Sequence, residues 1–372
     1  MALNIPAEVG MPLAEVDTPC LLVDLDAIEH NIERMARVAA EHGVRLRAHA
    51  KSHKSPDIAA RQIAAGAVGV CCQKVSEAET MVRGGVRDVL ISNEVVNPRM
   101  LARLAALAAT ARVIVCVDDA DNIAALEAAA AHCGTTVEVL VEIDVGAGRC
   151  GVAPGAPACA LARAIAAAPH LRFSGLQAYH GPAQHVRAFG DREALIERAI
   201  AATRDTVAQL AAQGLDCDIV GGAGSGTYRL EAASGVYNEL QCGSYVFMDA
   251  DYQRIVMADG RPTDDFRNSL FLYTTVMSKT KADKAICDAG LKSHSVDSGL
   301  PVVFGRDDIE YIGASDEHGE LGDPHDRLVL GDRLMLIPGH CDPTVNLHDW
   351  LVGIRGDRVE TLWPVAARGM SL

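Results

Sequence analysis

The first group in this 372-residue sequence with obvious chemical potential is a lysine in the run Arg47-Ala48-His49-Ala50-Lys51-Ser52-His53-Lys54. Read as a strand and its end, the run puts Arg47, His49 and Lys51 on one face and the alanines on the other. A lysine amine held in a partly dry pocket is nucleophilic near neutral pH and forms a Schiff base with an aldehyde. The alternative reading is a solvated basic rim. Gly221-Gly222-Ala223-Gly224-Ser225-Gly226-Thr227 can turn backbone N–H groups toward a phosphate, and Gly243-Ser244 adds a second small-residue turn; a tight turn alone is the alternative. In Pro338-Gly339-His340-Cys341-Asp342-Pro343, an extended backbone would give His340 and Asp342 a common face and point Cys341 away. One imidazole and one carboxylate, with positions left open, suit Mg²⁺ or Mn²⁺ better than a closed zinc site, although a hydrogen-bonded His–Asp pair has the same signature. His348-Asp349 is read as structural. Arg149 can hydrogen-bond a ring nitrogen of a heteroaromatic cofactor without giving it a proton, or it can pair with Asp144 or Glu142. Tyr179 and Gln73 are stacking or hydrogen-bonding neighbours, or core polar groups satisfied by backbone.

These groups need a scaffold, and the chain from about Thr18 to Asp249 alternates short β-rich runs with alanine-rich helical stretches. Asp26 and Glu29 suggest a capping box for a first helix, with Ile28, Ile32, Met35 and Val38 at helical spacing and Gly43 as the stop. Eight strands follow: 44–50, 69–73, 89–93, 113–118, 137–144, 173–179, 217–220 and 239–247. Helical segments such as 123–132, 157–168 and 192–214 separate them, which predicts a (β/α)8 barrel with its reactive groups at the C-terminal strand ends. Lys51, the glycine-rich segment and Gly243-Ser244 all fall there. Beyond Tyr252 the texture becomes polar and then β-rich, in 269–277, 301–304, 333–337 and 350–354. The expected division is a barrel domain over 18–255 and a β-rich domain, carrying His340 and Asp342, from 1–17 and 256–372.

With 49% hydrophobic and 22% charged residues, the chain can bury a sizeable core, which argues against disorder or a fibrous repeat. A formal charge of −15 repels nucleic acid and anionic membrane surfaces, so neither is an expected partner. The start, with Pro6, Glu8 and Pro12, does not read as a secretory leader, and the apolar tract 101–117 is broken by Arg103 and Arg112. Eleven scattered cysteines without a C-x-x-C pair suit reduced thiols, and with them a cytoplasmic location.

Taken together, these residues resemble a known family. The chain is similar to the metal-activated, pyridoxal-phosphate-dependent D-threonine aldolases and 3-hydroxy-D-aspartate aldolases, whose fold is that of alanine racemase. The resemblance runs nearly end to end through Asp17-Thr18-Pro19, His49-Ala50-Lys51, Gly69 to Glu77, Ile91 to Val95, Gly148 to Gly151, Gln177-Ala178-Tyr179, Ser234 to Tyr237 and His340 to Thr344. Asn238 to Ser244, Asp249 to Tyr252, Ser295 to Pro301 and Gly339 to Asp342 look most like the 3-hydroxy-D-aspartate enzymes. The resemblance implies that Lys51 carries pyridoxal phosphate and is catalytic. It also implies that Gln73, Arg149, Tyr179, Ser225, Gly243, Ser244 and Tyr252 line the cofactor, and that His340 and Asp342 hold Mg²⁺ or Mn²⁺. A threonine is more familiar at the place of Ser225, but the hydroxyl is retained. Related D-serine and hydroxyaspartate dehydratases show His-x-Cys where this chain has His340-x-Asp342, which favours the aldolase.

The implied reaction is reversible retro-aldol cleavage of a β-hydroxy D-amino acid, 3-hydroxyaspartate first, to glycine and glyoxylate. D-threonine cleavage to glycine and acetaldehyde is the near alternative, then dehydration of hydroxyaspartate or D-serine. A racemase and a non-catalytic pyridoxal phosphate carrier are further alternatives. The resemblance also implies a homodimer.

Overall fold

In the computed structural model, which describes residues 5–372, the chain enters through strand β1 (Cys20–Asp24) and passes directly into helix α1 (Leu25–His42). Ile28, Ile32, Met35 and Val38 form the buried face of α1, as their spacing requires. The helix ends on Gly43 at φ 65°, a left-handed conformation that costs glycine nothing. Its cap differs from expectation. The carboxylate of Asp24, not Asp26, accepts the Ala27 N–H at 3.0 Å, because the helix starts one residue after β1 and Asp26 already lies in its first turn.

All eight expected barrel strands form. They are β2 (Arg45–His49), β3 (Gly69–Cys72), β4 (Asp88–Glu94), β5 (Arg112–Val117), β6 (Val137–Glu142), β7 (Leu171–Gln177), β8 (Ile219–Gly222) and β9 (Glu239–Leu240). Each pairs in parallel with the next, and β9 returns to β2 to close the barrel. The connecting helices are α2 (Pro56–Ala64), α3 (Val75–Arg83), α4 (Pro98–Leu107), α5 (Ala120–Cys133), α6 (Ala156–Ala166), α7 (Phe189–Ala211) and α8 (Tyr228–Ala233). The last strand is far shorter than the expected 239–247, since the chain leaves the ladder after Leu240 and turns through a 3-10 helix at Ser244–Val246.

Two layers fill the barrel. Cys71, Leu90, Ile114, Cys116, Leu140 and Ile219 form an apolar interior cluster. At the N-terminal ends of the strands, fully buried Arg47 bridges Asp88 and Glu239, and Arg112 and Arg172 meet on Glu138. The barrel is thus plugged below and open for chemistry above.

The β-rich part is a nine-stranded sheet built from β1 with β10 (Leu270–Lys281), β11 (Lys284–Cys287), β12 (Val302–Val303), β13 (Glu310–Ala314), β14 (Gly319–Gly322), β15 (Arg333–Ile337), β16 (Trp350–Arg355) and β17 (Arg358–Pro364). A five-residue helix, α9 (Cys341–Val345), follows β15. The expected assignment of everything from residue 18 to the barrel is corrected at β1. That strand pairs antiparallel with β10 and parallel with β16, so Cys20–Asp24 is a central strand of the second sheet. Its unbroken apolar run, buried on both faces, suits either sheet, and only pairing decides between them. The core of α1 joins the two parts, with Ile28 and Met35 in one cluster with Leu46 of the barrel and Leu270 and Leu351 of the sheet. Among the described residues no helix is long and apolar enough to cross a membrane, and all eleven cysteines are free.

Candidate active site

Strand β2 carries Arg47 and His49 inward, and the 3-10 turn Ala50–Ser52 that ends it delivers Lys51 to the barrel mouth. There Lys51, Gln73, Arg149, Tyr179, Ser225, Gly243, Ser244 and Tyr252 all line one cavity of about 570 Å³. The volume lies in the range of small-molecule sites. The glycine-rich segment turns between β8 and α8, with Ala223 at φ 68°, a conformation a non-glycine residue rarely takes. Gly226 is required by packing, since a Cβ there would lie 2.6 Å from the Gln184 carbonyl oxygen. Ser225 Oγ accepts the Tyr245 N–H at 2.8 Å and so ties this loop to the turn after Gly243.

The wall includes residues to which sequence reasoning gave no site role: His49, Ser92, Gln177, His185 and Gln241. His49 Nε2 lies 3.0 Å from Gln73 Nε2 and 3.3 Å from Ser92 Oγ. Burial, and then the Lys51 ammonium, push this imidazole well below its ordinary pKa and keep it neutral. The alternation that singled out Lys51 already pointed to His49 on the same face. Gln177 and Gln241 pair side chain to side chain at 2.8 Å. Arg149 stands 6.0 Å from the centre of the Tyr179 ring, and its guanidinium is 3.9 Å from Glu142, so one of its expected carboxylate neighbours is present as well. Burial raises the pKa of Tyr179, and more strongly that of Tyr252, so both phenols are neutral donors.

Lys51 Nζ donates to Asp342 Oδ2 at 2.7 Å, across 291 residues of chain. The Asp342 carboxylate raises the lysine pKa, outweighing the opposite effect of desolvation. This corrects the expectation of an amine depressed by a dry pocket: a counter-ion in contact outweighs burial. Burial alone would raise Asp342, but Lys51 and His340 hold it well below the usual carboxylate range.

The backbone around His340 also differs from the extended stretch expected. His340 is extended at φ −147° and caps α9, but Asp342 already lies in the helix, so a turn and not strand alternation sets the relative placement of the two residues. Asp342 Oδ1 is buried and accepts no hydrogen bond. Asp249, raised to about 6 chiefly by burial, accepts the N–H groups of Tyr252 and Cys341 and pins α9 against the barrel mouth. Two acids missed from sequence thus frame the pair, Asp249 beneath it and Asp297, whose Oδ2 is 2.8 Å from His340 Nδ1. His348, read as structural, sits on the Ser293 carbonyl at 2.7 Å.

Among the described residues, the cluster of three metal-ligand types is elsewhere, at Glu94, Asp118 and Cys150, whose ligand atoms lie within 4.8 Å of one another. Glu94 ends β4 and Asp118 follows β5, so the strand-end rule that found Lys51 could have found them. Burial pushes the Cys150 thiol up to about 11 and the neighbouring Glu142 up to about 8, so these groups hold their protons near neutral pH. The Gly151 N–H occupies Asp118.

Residues 23–251 match the family described as alanine racemase, N-terminal domain, and residues 269–354 match a putative serine dehydratase domain. A protein of Paracoccus denitrificans (strain Pd 1222) named 3-hydroxy-D-aspartate aldolase is 54% identical over 98% of this chain and 96% of its own. The chain belongs to the family of 3-hydroxy-D-aspartate and D-threonine aldolases. Within this aldolase family, a D-threonine aldolase of an Arthrobacter species is 47% identical over all of this chain and 98% of its own. The crystal structure of D-threonine aldolase from Filomicrobium marinum superposes with a TM-score of 0.96 at 50% identity, covering 99% of this chain and 100% of that one. The alanine-racemase-like barrel with a separate strand-rich part, expected from the sequence, is therefore the fold of this aldolase.

Proposed function

We propose that the chain is a pyridoxal-phosphate- and divalent-metal-dependent aldolase that cleaves 3-hydroxy-D-aspartate reversibly to glycine and glyoxylate. The observation that carries the reading is the 2.7 Å contact of Lys51 Nζ with Asp342, which joins the barrel's reactive amine to the His340–Asp342 pair in one site. The wall residues fit the cofactor in kind: an amine, a hydroxyl- and glycine-lined loop, and aromatic and guanidinium neighbours around a cavity of sufficient size. Bound through Lys51, pyridoxal phosphate would supply the electron sink for the pair released when the Cα–Cβ bond breaks. The buried, partnerless Asp342 Oδ1 fits a cation, and with His340 it would hold Mg²⁺ or Mn²⁺, which would supply polarisation of the substrate's β-oxygen.

The chain's own groups have definite tasks in this reading. Asp342 keeps Lys51 protonated while the pair is intact, and drawing the carboxylate's charge elsewhere lets the amine release its proton. Arg149 donates hydrogen bonds but never its proton, so a ring nitrogen beside it stays unprotonated. Neutral His49, held by Gln73 and Ser92, stiffens the wall beside Lys51 without adding charge. The proposed division places the cofactor on the barrel and the metal pair on the strand-rich part. Free thiols throughout support a cytoplasmic location, and the homodimer implied by the resemblance belongs to the same reading.

Product analysis tests it. Glyoxylate with glycine from D-3-hydroxyaspartate, lost on chelation and restored by Mn²⁺, is the expected result. Faster release of acetaldehyde from D-threonine would promote the second reading, which the likeness to the Filomicrobium enzyme favours. Oxaloacetate with ammonia would indicate a dehydratase, and loss of optical activity without cleavage a racemase. No turnover of any D-amino acid would leave a carrier.

A further inference from the structure

We propose that Asp297 is the positioning residue of His340, fixing the imidazole so that Nε2 is the nitrogen offered to a divalent cation at the His340–Asp342 pair. The inference rests on the metal role assigned to that pair above. Asp297 Oδ2 lies 2.8 Å from His340 Nδ1, so the Nδ1 position is taken and carries the ring's N–H. The carboxylate is itself held. Its Oδ1 accepts from Ser295 Oγ at 2.7 Å, and its Oδ2 accepts from Ser298 Oγ at 3.2 Å.

The loop that carries Asp297 is tied a second time to the residue it orients. The Ser295 N–H donates to Thr344 Oγ1 at 3.1 Å, and that hydroxyl donates to the His340 carbonyl at 2.7 Å. The two backbones also touch: a Cβ on Gly339 would lie 2.1 Å from the Gly299 carbonyl oxygen, so only glycine permits the approach. Both ends of His340, its main chain and its ring, are thus referenced to the segment 295–299. An imidazole on a short helix end, 26% exposed to solvent, would otherwise rotate freely about χ1 and χ2. A carboxylate on the far nitrogen sets tautomer and ring plane together and raises the basicity of the ligating nitrogen.

The test measures metal affinity on the cofactor-loaded enzyme after chelator treatment, by equilibrium dialysis against Mn²⁺ with bound metal counted. Asp297→Ala should weaken Mn²⁺ binding by roughly 10- to 100-fold, the usual effect of losing such a partner. Asp297→Asn, which keeps an acceptor oxygen, should recover most of the loss, and Ser295→Ala should shift affinity in the same direction as Asp297→Ala but less. At saturating Mn²⁺ the Ala variant should regain its kcat, and its cofactor absorbance should match the parent's throughout. Unchanged Mn²⁺ affinity in Asp297→Ala overturns the proposal, as does failure of Asn to improve on Ala. His340→Ala separates the two levels: if it loses Mn²⁺ while Asp297→Ala does not, only the positioning role falls. If His340→Ala binds Mn²⁺ like the parent, the metal role of the pair falls and the positioning role with it.

Discussion

Arg47→Met should cost more stability than any change at the rim of the site, and the structure says why. The Arg47 side chain is 0% exposed and spans two acids, with Nη1 2.5 Å from Asp88 Oδ1 and Nε 2.8 Å from Glu239 Oε1. Removing it does not strand both. Asp88 keeps Arg112 at 3.0 Å, whereas Glu239, 1% exposed, keeps only the half-exposed Arg45 at 3.5 Å. The cost therefore falls on one buried carboxylate left without its main partner, about 3–5 kcal/mol for a broken buried pair. For a unit the size of this barrel that is a fall in Tm of roughly 6–20 °C. Thermal denaturation of the holoenzyme, followed by circular dichroism, reads the shift. Adding Glu239→Gln to Arg47→Met removes the stranded charge and should restore most of the loss, because the uncompensated buried charge carries most of the cost of a broken pair. A single variant that melts within about 2 °C of the parent would refute the reasoning. A double variant no better than the single one would refute it equally.

Ser225→Ala removes a hydroxyl from the cavity wall and the acceptor for the Tyr245 N–H, and should weaken pyridoxal phosphate binding roughly 10- to 100-fold, as loss of one hydrogen bond to a charged group does. Absorbance titration of the apoenzyme checks this, and equal affinities would remove Ser225 from the phosphate-binding role. Asp265 offers a pH test. Burial acts to raise its pKa, but Arg229, Tyr228 and Arg34 hold it at about 2, against an ordinary 3.8. A depressed carboxylate contributes stability above its unfolded pKa and loses it as pH falls through the folded value, so about 2 kcal/mol is present near neutral pH and gone below about pH 2. Asp265→Asn should therefore be less stable than the parent at pH ~6 and converge on it in strong acid. A constant gap between their denaturant midpoints across that range would contradict the assignment.

Local spacing determined much of this protein. The period-2 run ending at His49 placed that imidazole on the inner face of β2, with Lys51 at the barrel mouth in the turn just beyond it, and the 3.6-residue apolar spacing of α1 selected its buried side. The glycine-rich segment after β8 announced a turn that only small residues can make. The barrel strands were legible because short β-rich runs alternate with helical segments, a pattern set within about thirty residues. What lay beyond that reach is whatever two distant segments decide jointly. β1 is apolar enough for either sheet, and pairing with β10 and β16 assigned it. The partner of Lys51 is 291 residues away, and the sign of its pKa shift turned on that contact, not on burial. Asp249 and Asp297 look like ordinary surface acids in sequence, and only the folding of α9 against the barrel mouth sets them around His340 and Asp342. A residue's backbone preference and the side it faces are properties of its neighbours in the chain. Its charge state and its partner depend on what the assembled core brings within a few ångströms, and one sequence window does not contain that information.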